Sequence, residues 1–155
     1  MDIKQEEIYA MAHLYWFGFC KEAEFTAFID KYFEKYPENV LLLELEWCGG
    51  EPEKVLKVIC DYRADIEFDW DIFMREIFAG IKRAYSRCED IRLFDSLCWN
   101  LWEMIDNYDS VLGGILYKAL YKESGNDGNV PKRMAENYEK AFEEAEIYFG
   151  DKRGK

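Results

Sequence analysis

Few residues of this chain belong to the types that carry out nucleophilic or acid–base chemistry. It contains one histidine, His13, and five cysteines. A catalytic cysteine needs a neighbouring base or cation that favours its thiolate, and the sequence marks none of the five in this way. His13 stands among large aromatic residues, which favours a packed side chain over a catalytic one. We therefore predict that the chain is not an enzyme, and an enzyme of unfamiliar design stays the alternative.

Carboxylates are abundant, and four of them alternate along the chain at Asp65, Glu67, Asp69 and Asp71. This spacing resembles the alternate oxygen ligands of a calcium loop. Such a loop also needs a glycine at its sharp turn and a bidentate glutamate at its twelfth position, and both are missing from the sequence. Asp69 suits the N-cap of a helix, and Asp71 suits its first turn. We therefore expect no metal site and no cofactor.

The elements that position these residues are helices, because apolar side chains recur at the i, i+3, i+4, i+7 spacing of one helix face. The predicted helices cover about 3–16, 21–35, 39–48, 51–64, 70–87, 90–106, 110–123 and 131–150. Ser110 is predicted to cap the seventh helix, and Gly150 to end the eighth.

The fold class is therefore all-α, with about eight helices paired as antiparallel hairpins in a compact bundle. A short α-solenoid of helical repeats is the alternative, because the hairpins follow one another at regular intervals. We expect one helical domain over residues 1–150 and a frayed C-terminal tail over residues 151–155.

The chain is strongly acidic. Its 32 acidic and 20 basic residues give a net charge of −12 at pH 7. Nucleic-acid binding needs cationic side chains, and an acidic surface also repels anionic lipid, so we expect neither nucleic acid nor a membrane as a partner. A basic protein is the expected partner, because opposite charges steer association. Solubility alone is the other explanation of the charge.

Cysteine usage and the N-terminus favour a cytoplasmic location. The five cysteines are an odd number without a CxxC pair, which argues against a disulfide framework. Residues 1–7 are acidic and lack the basic start of a signal peptide. The longest mostly apolar run, residues 8–20, is shorter than a membrane span requires.

Two stretches interleave acids with large apolar residues around predicted helix–helix turns. The first covers residues 61–71 and the second residues 103–109. In an up-and-down arrangement alternate turns lie at one end of the molecule, so the two stretches are predicted to meet there. Tryptophan and tyrosine are enriched at interface hot spots. The predicted partner-binding residues are Asp65, Glu67, Asp69, Trp70, Asp71, Asp106, Tyr108 and Asp109.

These features resemble the small, acidic immunity proteins of bacterial toxin–antitoxin and contact-dependent growth inhibition systems. The resemblance covers the whole chain through its length, acidity and helical body, together with residues 61–71 and the segment from Leu42 to Cys48. It implies a protein that binds its cognate toxin, often a basic nuclease, and blocks the toxin's active site. It assigns no individual residue. A helical adaptor or scaffold that binds a peptide or a partner helix is the alternative.

Overall fold

Helices are the regular elements of the part of the chain that the structure describes. The computed structural model describes residues 4–63, 67–122 and 130–153. In these ranges the helices are α1 (Gln5–Phe17), α2 (Glu22–Lys35), α3 (Val40–Trp47), α4 (Pro52–Arg63), α5 (Trp70–Arg87), α6 (Ile91–Tyr108), α7 (Ser110–Ala119) and α8 (Val130–Arg153). The all-α prediction is confirmed. Across the same ranges, none of the helices combines the length and the apolar character that crossing a membrane requires.

Tertiary contacts divide the chain into two compact units, residues 1–81 and residues 82–155, with the boundary inside α5. In the first unit α1 is the innermost helix, and its residues 8–15 are buried except for Met11. α1 packs on α2 and α4, and α3 packs on the same two helices. Gly80 of α5 lies so close to Leu14 that a β-carbon there would collide with the leucine side chain. The choice between a bundle and a solenoid for the whole chain stays a prediction.

The second unit contains the last residues of α5 together with α6, α7 and α8, and these last three helices pack on one another. Aromatic rings fill its core: Tyr85 lies edge-on to Phe94 at 5.6 Å and to Phe142 at 5.5 Å between ring centroids. Tyr138 packs on the same rings and is fully buried. Its hydroxyl donates to the carboxylate of Asp95 at 2.6 Å, so one buried acid is part of this core.

The cap of α7, the end of α7 and the end of α8 differ from the predictions. Asp109, not Ser110, caps α7, because its carboxylate accepts from the second and third backbone amides after it. α7 ends at Ala119 rather than near residue 123, because Leu120 turns to extended backbone and the next amide, that of Tyr121, donates to Asp95 at 3.0 Å. α8 passes through Gly150 and ends at Arg153.

Candidate protein-interaction surface

Aromatic packing in the first unit fixes the start of α5. Phe68 stacks on Tyr9 of α1 at 5.1 Å between ring centroids. Trp70 meets Phe68 edge-on at 4.6 Å and Phe73 at 5.5 Å. One side of the indole is therefore held by two rings, while 37% of the residue stays exposed. A tryptophan held in this way can contact a partner without first losing much side-chain freedom.

Hydrogen bonds fix the backbone at the same place. The Asp69 carboxylate accepts from the backbone amides of Asp71 at 3.0 Å and Ile72 at 3.3 Å. This is N-cap geometry, and it confirms the predicted cap. The backbone amide of Asp69 itself donates to the Glu6 carboxylate of α1 at 3.0 Å. The turn before α5 is thus tied both to its own helix and to α1.

Together these groups line an open depression of about 590 Å³. Four of its six lining residues are acids and two are aromatic; we call this set the α5 acidic surface: Glu6, Glu67, Phe68, Asp69, Trp70 and Asp71. Glu67 and Asp69 are exposed, whereas Glu6 and Asp71 are half-buried. Like charges gathered around an apolar centre create a negative potential that favours a cationic ligand.

Four of the predicted partner-binding residues lie together on this surface: Glu67, Asp69, Trp70 and Asp71. Asp65 lies outside the described residues. Glu6 was missed, because it joins the surface from α1, more than sixty positions away in sequence. Its only sequence signal is its place in the acidic first turn of α1, which says nothing about distant neighbours.

The second acidic stretch lies in residues 82–155 and serves the packing of its own helices. The Asp109 carboxylate caps α7 through one oxygen and accepts from the Tyr148 hydroxyl through the other, at 2.9 Å. Asp106 lies beside Gly113, where a β-carbon would sit 2.6 Å from the aspartate α-carbon. Asp106 and Tyr108 are exposed, and Asp109 is half-buried. That the two stretches share one end stays a prediction.

His13 and Cys98, two of the residues considered for catalysis, are packed side chains. His13 is buried, with its Nδ1 2.7 Å from the Tyr9 carbonyl oxygen and its ring edge-on to Phe73. Burial raises the pKa of the Cys98 thiol, which keeps it protonated and unreactive. All five cysteines lie in described ranges, and each is a thiol rather than half of a disulfide. Among the described residues, no group of three potential metal-ligating side chains occurs.

The second unit also exposes apolar surface. Trp99 lies 6.2 Å from both Trp102 and Tyr117 between ring centroids, and it is more than one-third exposed. A separate shallow depression between α7 and α8 is lined mainly by apolar groups, and its most exposed large apolar members are Val111 and Ile147. The α7–α8 depression has two acids among its nine lining residues, whereas the α5 acidic surface has four among six.

Comparisons of this chain with protein-family models, with curated proteins and with solved structures found no match.

Proposed function

We propose that this chain is a non-enzymatic immunity protein that binds and neutralises a basic toxin domain through the α5 acidic surface. The observation that carries the proposal is the composition of that surface, where four acids surround a half-exposed tryptophan. Interface hot spots combine a rigid aromatic anchor with complementary charge around it. Residues 1–81 carry 18 acids and 8 bases, a net charge of −10, so the field of this unit also attracts cations.

The proposed mechanism is occlusion. A nuclease holds its substrate with lysine and arginine side chains that neutralise phosphates. Glu67, Asp69 and Asp71 offer carboxylates to the same cations, and Trp70 supplies the apolar contact that keeps the complex together after encounter. Charge at the rim sets the association rate and its salt dependence, whereas a desolvated anchor sets the dissociation rate. The inhibitor consumes nothing and needs no cofactor for this role.

Glu67 gives the sharpest test of the proposal. It is exposed and precedes α5, whereas replacing Asp69 removes a helix cap and mixes stability with binding. The wild-type chain captures the partner from the producing cells, mass spectrometry identifies it, and the purified partner domain is titrated against each variant. We expect Glu67→Lys to weaken binding at least about tenfold, since placing like charges together costs about 1.4 kcal/mol or more.

The matched control is Glu143→Lys, which makes the same charge change at an exposed position of α8. It should alter affinity by no more than about twofold. Equal weakening by both variants would mean that net charge alone drives binding and that the α5 acidic surface is not the interface. Co-expression with the partner domain adds a functional readout, because the wild-type chain should restore the growth that the toxin stops.

A helical adaptor is the second candidate, and the shallow apolar depression between α7 and α8 favours it. Val111 and Ile147 are 51% and 65% exposed there, and an amphipathic helix of another protein would cover them. If the captured partner is neither basic nor toxic, and if Ile147→Asp abolishes capture while Glu67→Lys leaves it intact, the adaptor function replaces the immunity function.

A further inference from the structure

The outer side of α3 exposes an apolar stripe. Trp47 is 80% exposed and Val40 57% exposed, while Leu43 between them is half-buried. The i, i+3, i+7 spacing aligns the three side chains along one side of the helix. The opposite side of α3 holds the buried residues Leu41, Leu42 and Leu45. A tryptophan buries roughly 150–250 Å² when it is covered, so this stripe keeps a large apolar area in water.

Carboxylates border the stripe on both sides. With about 100° of rotation per residue, Glu44 falls to one side of the stripe and Glu46 to the other. Their surroundings agree with this placement. Burial, together with the charge of nearby Glu44, raises the pKa of Tyr62 in α4. Glu46 forms a hydrogen bond with Asp30 of α2. The two helices that flank α3 therefore each place a titratable group near one of its glutamates.

The stretch of chain that contains α3 has no cation. Residues 36–53 contain five acids and no lysine, arginine or histidine. Lys54 of α4 lies close enough to affect the pKa of Cys48, and it is already paired with Glu51 at 2.8 Å. A hydrogen bond between two carboxyl groups requires a proton, and the bond to Asp30, burial and the Asp30 charge all raise the pKa of Glu46. An ammonium or guanidinium group from a partner would pair with the carboxylates of Glu46 and Asp30, and no shared proton would then be needed.

We propose that the α3 face, made of Val40, Leu43, Glu44, Glu46 and Trp47, docks an amphipathic helix of another protein whose apolar stripe is flanked on both sides by lysine or arginine. The kind of partner follows from the arrangement of the α3 face. Paired helices select one another through apolar seams that carry opposite charges on their flanks. Eight residues of α3 give a seam of about 12 Å, which matches two turns of a partner helix. This surface is separate from the α5 acidic surface, so the inference goes beyond the proposed function.

A designed peptide tests the proposal. The probe is a labelled helical peptide of leucine, alanine and lysine, with leucines at i, i+3 and i+7 and lysines on both flanks. The control peptide has the same composition in scrambled order. Fluorescence anisotropy should give the designed peptide an affinity at least about tenfold higher than the scrambled one. Trp47→Ala should weaken binding about 30-fold, the size of an interface hot spot, and Glu46→Lys about tenfold.

Two matched controls separate local from general effects. Leu93→Ala removes another strongly exposed apolar side chain, one that lies outside the surfaces discussed above, and Glu143→Lys makes the same charge change as Glu46→Lys. Each should change peptide affinity by no more than about twofold. Glu67→Lys, which tests the α5 acidic surface, should also bind the peptide like the wild-type chain, so the two proposals can fail separately.

Three results would overturn the inference. The first is equal affinity for the designed and scrambled peptides. The second is a Trp47→Ala variant that binds the designed peptide as well as Leu93→Ala does, with circular dichroism showing that both are folded. The third is self-association in sedimentation velocity that Trp47→Ala abolishes, because a second copy of the chain would then be what covers the α3 face.

Discussion

The turns before α5 and α7 have similar composition, and each holds an aspartate whose carboxylate accepts from two amides of the following helix. Around Asp109 the acid also accepts from Tyr148 of α8, and its neighbour Asp106 faces a close helix crossing at Gly113. Around Asp69 the neighbouring Glu67 faces solvent beside Trp70. An acidic, aromatic stretch can therefore hold helices together or present a surface, and the sequence pattern is the same for both.

The two units also differ in net charge. Residues 1–81 have a net charge of −10, whereas residues 82–155, with 14 acids and 12 bases, have −2. In the second unit Lys82 meets Glu146 at 2.6 Å and Lys118 meets Glu144 at 3.2 Å, so charged pairs join different helices. The comparison locates the surplus of carboxylates in the unit that carries both proposed surfaces.

The largest expected effect comes from an acid that faces inward. Asp95 is buried and accepts from the Tyr138 hydroxyl at 2.6 Å and the Tyr121 amide at 3.0 Å. Asp95→Ala leaves these donors without their charged acceptor, and we expect it to lower the free energy of unfolding by about 3 kcal/mol. The matched change at an outward acid, Glu67→Ala, should stay within about 0.5 kcal/mol. Urea denaturation followed by circular dichroism measures both, and similar losses would remove the distinction between the two kinds of acid.

An intermediate effect compares the two caps directly. Asp69→Ala should cost about 1 kcal/mol, the usual contribution of an N-cap. Asp109→Ala should cost about 2 kcal/mol, because it also removes the hydrogen bond from Tyr148, which adds about 1 kcal/mol. Tyr148→Phe, which removes that bond alone, should account for the difference. If Asp69→Ala is as costly as Asp109→Ala in the same denaturation experiment, the turn before α5 has a larger structural role than its contacts indicate.

Helix bounds that depend on neighbouring residues can be predicted from the sequence, whereas those that depend on residues far away in the chain cannot. The bounds of α5, Trp70 to Arg87, are as predicted, because a cap and an unbroken apolar stripe define that helix locally. α7 ends early because the backbone amide of Tyr121 donates a hydrogen bond to Asp95, which lies many positions back in the chain. Two adjacent residues at the start of α7 are both good caps, so only the geometry selects Asp109 over Ser110.

The same limit applies to the surfaces. α3 is apolar along nearly its whole length, so no periodicity indicates which of its residues face outward. Trp47 is exposed because α2 and α4 cover the opposite side of the helix. Glu6 joins the α5 acidic surface because its carboxylate accepts a hydrogen bond from the Asp69 amide. No local sequence pattern indicates this contact. Residues 67–71 could be predicted to lie together because their acids and aromatic rings are consecutive.

The smallest expected effect is on the pH dependence of stability. It compares the carboxyl pair of Glu46 and Asp30 with the ion pair of Glu146 and Lys82. In the first unit a hydrogen bond with Asp30, burial and the charge of Asp30 all raise the pKa of Glu46. In the second unit Glu146 meets Lys82 at 2.6 Å. Because the folded state holds the Glu46 proton more tightly than the unfolded state, stability falls as pH rises from the ordinary glutamate pKa of about 4.3 through the raised one.

Glu46→Gln keeps a hydrogen-bond donor for Asp30 and removes the titrating group, so this variant should be more stable than the wild type at pH 7 and should lose that pH dependence. Glu146→Gln should be equally or slightly less stable at pH 7, since exposed ion pairs contribute about 0–1 kcal/mol. Melting temperatures between about pH 4 and pH 8, a range that covers ordinary and raised glutamate pKa values, measure both variants. A Glu46→Gln variant no more stable than the wild type at pH 7 would show that the carboxylates beside α3 are not crowded, and would remove the reason for a cation to dock there.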